Sequence, residues 1–199
     1  PQSPERVSRI LCQACEALEE AHEHGLVHRD IKPANIVLCS RGGRPDVVKV
    51  LDFGLVKELG GTDLTVADTI TGTPAYLAPE AITDPDAVGP ASDLYALGAV
   101  GYFLLSGKDV FEGKTAAAIC AAHLHDTPQP LRERTSATVP PELEGVLMRC
   151  LSKTQSDRPA SAREVRLVLE SVAFERAWNE EAAREWWKGQ EAVGFSAGL

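Results

Sequence analysis

His28-Arg29-Asp30-Ile31-Lys32-Pro33-Ala34-Asn35 is the stretch whose reading decides the fold. Seventeen residues beyond Asn35 stands Asp52-Phe53-Gly54, followed by Gly72-Thr73-Pro74-Ala75-Tyr76-Leu77-Ala78-Pro79-Glu80. Each string has a bland reading, since Asp-Phe-Gly is a common turn and Ala-Pro-Glu a helix start. Their order and spacing together are very improbable by chance. Between the first two lie the β-rich runs Ile36–Leu38 and Val47–Leu51, linked by the turn-rich Ser40–Asp46, which predicts a small hairpin. Residues 55–78 carry Gly60, Gly61, Gly72 and Pro74 with no sustained period, and read as loop.

Outward from this centre the chain is helical. Ser3 can cap a helix with Pro4 at its first position, and Val7, Ile10, Leu11, Ala14, Leu18 and Ala21 recur at helical spacing until Gly25. A helix from about Ser92 to Leu105 is apolar on nearly every side, which marks a buried central element ended by Gly107. Further helices are read over Lys114–His125, over Glu142–Leu151, and from a Ser161/Glu164 capping box to about Val172. Phe174, Trp178, Ala182 and Trp186 lie four apart and predict a last helix over Phe174–Lys188 that docks back on the body. The tail from Gly189 is expected to fray.

The 199 residues fit one domain, or one with an appendage, and bury enough surface to need no staples. A net charge of −9 argues against nucleic acid as the main partner, though one cleft can still be locally positive. No apolar run reaches the ~18 residues of a membrane span. The five cysteines, with Cys12 and Cys15 inside a helical pattern, read as buried thiols of a reducing compartment rather than zinc ligands or disulfides. A cytoplasmic location follows, any membrane anchor of a longer protein lying outside this segment. The start at Pro1, with no initiator Met, reads as a piece of something longer.

The three strings resemble the catalytic half of a eukaryotic-type (Hanks-type) serine/threonine protein kinase, over residues from about 4 to 172. The resemblance implies a mainly α, protein-kinase-like fold with a small β-hairpin, restricted to the larger C-terminal lobe. Residues 1–172 would be that lobe, 173–188 a Trp-containing helix and 189–199 a tail. It implies transfer of the ATP γ-phosphate to Ser/Thr hydroxyls of protein substrates, with ATP and Mg²⁺ as cofactors. Asp30 matches the carboxylate that orients the hydroxyl and accepts its proton, and Lys32 the lysine that meets the transferring phosphate. Asn35 and Asp52 match the magnesium ligands; the hairpin can bring both oxygens to one site. Arg29 matches a cation that a phosphothreonine on the following loop neutralises. Thr62, Thr65, Thr69 and Thr71 are candidates, with Thr65 and Thr69 favoured on spacing. Thr73 matches the threonine that marks Ser/Thr specificity. Glu80 and Arg158 match a buried ion pair, and Asp93 the carboxylate that holds the catalytic-loop backbone. Phe53 and Gly54 match a packing residue and its hinge. The short motifs and the C-terminal extension look bacterial.

A small, mostly β lobe ahead of this region would supply a Gly-rich loop and a strand lysine. Only three residues precede the first helix here, and no G-x-G-x-x-G string occurs. The N-terminal lobe is therefore expected as a missing partner in cis. The chain alone is expected to bind ATP weakly, with an apolar face left open to self-association. The rival readings are an inactive kinase fragment used as a scaffold and, more distantly, a zinc hydrolase built on His22, His24 and His28.

Overall fold

The computed structural model describes residues 1–52 and 74–192. Helix α1 (Pro4–Glu23) opens the chain and buries Val7, Ile10, Leu11, Ala14, Cys15 and Leu18 on one face. Ser3 stands at its N-cap in extended geometry, but its side chain makes no capping bond. Gly25 takes φ 74°, a conformation that glycine reaches without strain, and turns the chain toward the 28–35 loop.

Strands β1 (Ile36–Arg41) and β2 (Arg44–Val50) form a two-stranded antiparallel sheet. They are longer than the sequence reading allowed. Gly42 and Gly43, both at positive φ, close a two-residue turn, so Ser40, Arg41 and 44–46 join the strands instead of the loop. Pairing runs from Ile36 opposite Val50 to Cys39 opposite Val47, then shifts before Arg41 opposite Arg44. The shift sets Pro45 and Asp46 against Ser40 alone, as in a β-bulge.

The body is helical: α2 (Pro79–Thr83), α3 (Pro90–Ser106), α4 (Ala116–His125), α5 (Pro141–Cys150), α6 (Ala162–Ser171) and α7 (Glu180–Ala192). The central α3 is buried almost throughout, as its all-round apolar sequence requires. It packs on α1 and α5, while α6 covers α1. Thr115 and Ser161 cap α4 and α6 by accepting from Ala118 N and Glu164 N. The reciprocal arm of the expected capping box goes elsewhere, because the Glu164 carboxylate accepts from Ala160 N.

The last helix begins at Glu180, six residues after Phe174, and runs through Gly189 to Ala192. Asn179 decides the start: its side chain accepts from Ala182 N, and its carbonyl from Ala183 N. The stretch before it stays non-helical, which lets Trp178 reach the hairpin.

Close helix contact in the body depends on Gly98 and Gly101. A Cβ on Gly98 would lie 2.7 Å from Cys150 Cβ and 3.2 Å from the Leu147 carbonyl oxygen. Neither atom is the end of a flexible chain. Gly98→Ala is expected to destabilise the protein by about 1–2 kcal/mol, because overpacking outweighs the ~1 kcal/mol gained in helix propensity. A lowered urea midpoint checks this; a raised one removes the close-packing account.

Candidate active site

The 28–35 loop is held from below by one buried carboxylate. Asp93, in the first turn of α3 and 1% exposed, accepts from His28 N and Arg29 N at 2.8 Å each, and pairs with His22 Nε2 at 2.8 Å. The helix N-terminus adds favourable partial charge. Arg29 sits at φ 67°, a strained conformation for a non-glycine residue, and Asp93 satisfies its N–H there. The family resemblance implies this role for Asp93; the His22 contact has no local sequence signal, since its partner lies 71 positions away.

His28 links the loop to the hairpin. Its Nδ1 accepts from Asp30 N at 3.2 Å. That fixes the proton on Nε2, which donates to the Leu51 carbonyl at 2.7 Å. Leu51 N donates in turn to the Asn35 carbonyl at 2.9 Å. Asp52 therefore begins directly beside the loop that carries Asn35, and it too holds a left-handed backbone, φ 59°.

Asp30, Lys32 and Asn35 meet directly. Asn35 Nδ2 donates to the Asp30 carbonyl at 2.7 Å and to Asp30 Oδ2 at 2.9 Å. Lys32 Nζ lies 2.7 Å from the same Oδ2. The Asp30 carboxylate is nonetheless more than half exposed, so it is oriented yet open to an incoming group. With its amide N–H groups committed to Asp30, Asn35 has its Oδ1 left as the atom to offer a cation. Asp52 is exposed at the end of the hairpin. A shallow depression of about 30 Å³ beside this group is lined by Asp30, Lys32, Tyr76, Leu77 and Ala78. A larger cavity of about 490 Å³ lies away from it, between α1, the hairpin and residues 178–183. The oriented Asp30 carboxylate lies at the small one.

Glu80 and Arg158 form the anticipated pair. Arg158 grips both Glu80 oxygens, at 2.7 and 2.8 Å, and Ser92 Oγ donates to Glu80 Oε1 at 2.6 Å. Burial pushes the Glu80 carboxyl up, but the bonds from Arg158 and Ser92 outweigh it and hold it below its ordinary value. Phe53, Gly54, Thr62, Thr65, Thr69, Thr71 and Thr73 lie outside the described residues.

Four of the five histidine side chains each meet a different partner. His22 pairs with Asp93, His24 Nδ1 meets the Glu20 carbonyl and His28 bridges to Leu51, while His123 Nδ1 lies against Tyr95 Oη. Among the described residues no group of three or more His, Cys, Asp or Glu converges on a metal position. Cys12, Cys15, Cys120 and Cys150 are buried free thiols, and burial pushes Cys12 up to about 11.

The sequence reading missed a second polar centre. Arg6, on α1, is 1% exposed and grips the Asp46 carboxylate with two bonds. Trp178 and Trp187 donate to the same carboxylate. No local pattern could reveal this, because the partners are 40 to 141 positions apart.

A protein kinase domain model matches residues 2–168. The chain is 41% identical over 189 residues to the serine/threonine-protein kinase pkn3 of Myxococcus xanthus, covering 92% of this chain and 34% of that protein. It is 38% identical over 171 residues to the serine/threonine-protein kinase PknB of Mycolicibacterium smegmatis, covering 85% of this chain and 26% of that one. It thus spans about a third or less of the curated relatives it matches. Its backbone matches a crystal structure of Rad53 1–466 in complex with AMP-PNP at a TM-score of 0.64 and 25% identity, over 82% of this chain and 39% of that one. A loop carboxylate oriented by a lysine and an asparagine, a hairpin delivering a second carboxylate, and a match over most of its length lead to one family. The chain belongs to the protein kinases of the eukaryotic, serine/threonine type, and the curated relatives named here are bacterial.

Proposed function

We propose that the protein transfers the γ-phosphoryl group of Mg-ATP to Ser/Thr hydroxyls of protein substrates, and that residues 1–172 are the C-terminal lobe of its catalytic domain. The observation that carries this is the Asp30 carboxylate, locked by Lys32 and Asn35 yet open on its outer side. A carboxylate so held can orient a hydroxyl and accept its proton. Lys32, beside it, supplies fixed positive charge where negative charge gathers on the moving phosphoryl group. The donor set suits magnesium: Asn35 Oδ1 and the Asp52 carboxylate are hard oxygens. Bound Mg-ATP would supply the phosphoryl group and the neutralising ions; these residues would hold and aim it. The matched Rad53 structure is a complex with AMP-PNP, which supports a nucleotide as ligand.

Arg29, exposed next to Asp30, is the cation we assign to a phosphothreonine at Thr65 or Thr69, with Thr73 assigned to hydroxyl selection. The buried free thiols favour the cytoplasm. Among the described residues no helix is long and apolar enough to cross a membrane.

The test uses the full-length protein, Mg-ATP and Ser- or Thr-containing peptides. Transfer is expected, abolished by EDTA and restored by Mg²⁺. Asn35→Ala is expected to lower kcat/KM on the order of 100-fold, with a raised magnesium requirement. Wild-type protein that binds the nucleotide without transferring phosphate would turn the reading toward a scaffold.

A further inference from the structure

We propose that the C-terminal segment 178–187 positions the nucleotide site, acting through Asp46 and the hairpin. This inference rests on the kinase reading above. All three tryptophans of the sequence gather here. Trp186 stacks on the Arg6 guanidinium at 3.5 Å from its ring centre, and Trp178 and Trp187 flank the cation at 5.3 and 5.5 Å. Arg6 Nε and Nη2 donate to Asp46 at 2.9 and 2.8 Å. The indole N–H groups of Trp178 and Trp187 complete the carboxylate at 2.9 and 2.7 Å.

Asp46 is the point where β2 would otherwise be free to move. It is 5% exposed, at the bulge, and its backbone sits at φ 54°. A strained residue persists only where its surroundings over-determine it. Four side-chain donors do so here, and Gln13 adds two clamps, donating to the Asp46 carbonyl and accepting from Val48 N.

A two-stranded hairpin is marginal by itself. This one carries Asn35 and Asp52 side by side at its paired end, so its seating on the body sets where the two oxygens assigned to magnesium stand relative to the 28–35 loop. The inner end is tied by Leu51 to Asn35 and His28. The outer end is tied by the Arg6–Asp46–tryptophan cluster, and α7 packs on β2. Asp46, Trp178 and Trp187 are thus positioning residues: they touch no reacting atom and act through β2.

The experiment compares full-length wild type with the double variant Trp178→Phe/Trp187→Phe, which keeps an aromatic ring at each position and removes both N–H donors. KM for Mg-ATP is expected to rise about tenfold with kcat within about twofold, the low end for losing an outer partner of a metal ligand. Gly98→Ala serves as the control, losing stability in the helical body with KM unchanged. If the double variant does not fold, Trp187→Phe alone is read by the same KM-to-kcat split. An unchanged KM, with only a lowered melting temperature, overturns the inference and leaves the kinase reading standing. A wild type without turnover removes the kinase reading and the inference with it.

Discussion

Replacing Asp30 by Asn in the full-length protein is expected to lower kcat for peptide phosphorylation about 10²–10⁴-fold. The shape of the site survives the change. An asparagine at 30 can still present an oxygen to Lys32 Nζ and Asn35 Nδ2, which now lie 2.7 and 2.9 Å from Asp30 Oδ2. The bond from Asn35 to the residue-30 carbonyl does not involve the side chain at all. What is lost is the basic oxygen proposed to receive the hydroxyl proton. KM for Mg-ATP is therefore expected to stay within about twofold, since the effect falls on the chemical step. Steady-state kinetics with ATP and peptide varied separately read the two constants. Undiminished turnover removes Asp30 from the role of base, and a large rise in KM with kcat intact assigns it to binding.

Glu80→Ala carries the largest expected loss of stability, about 3–5 kcal/mol, because it strands a charge in the interior. Arg158 has a fully buried side chain and would keep the carbonyls of Ala91, Ser152 and Lys153 and the face of Tyr95, but no anion among the described residues. Ser92 Oγ would lose its acceptor as well. Removing both charges together, as Glu80→Leu/Arg158→Met, is expected to destabilise less than Glu80→Ala alone. Urea unfolding of the two variants against wild type checks the order; equal losses would mean that Arg158 is not stranded. The sign with pH follows from the carboxyl being held below its ordinary 4.5 in the folded protein. Its contribution is complete above the unfolded value and fades as pH falls through the lower, folded one. Wild type therefore loses this increment on the acid side, and Glu80→Ala has none to lose.

Much of the site was legible because its parts are local. Asp30, Lys32 and Asn35 fall within six residues, so one tight loop must bring them together, and the structure joins them by direct bonds. The hairpin that returns Asp52 follows from two β-rich runs around Gly42 and Gly43, although its strands proved longer than the runs. Glycines that permit a two-residue turn allow pairing into residues whose polarity suggests loop. The start of α7 was misread for a different reason. Tryptophans at helical spacing outweighed Asn179-Glu180-Glu181, an ordinary helix-start signal.

Periodicity, glycine positions and the spacing of the polar strings are properties of the chain itself, and they determined α1, the buried α3, the hairpin and the loop. They act through backbone geometry and the partition of apolar side chains, which need no knowledge of distant neighbours. The burial of Arg6, the conformation of Asp46 and the destination of the three tryptophans were decided only by tertiary structure. A cation buries itself when an anion and aromatic faces arrive from elsewhere in the chain. Here they come from a hairpin 40 residues away and a segment more than 170 residues away, brought together only by folding.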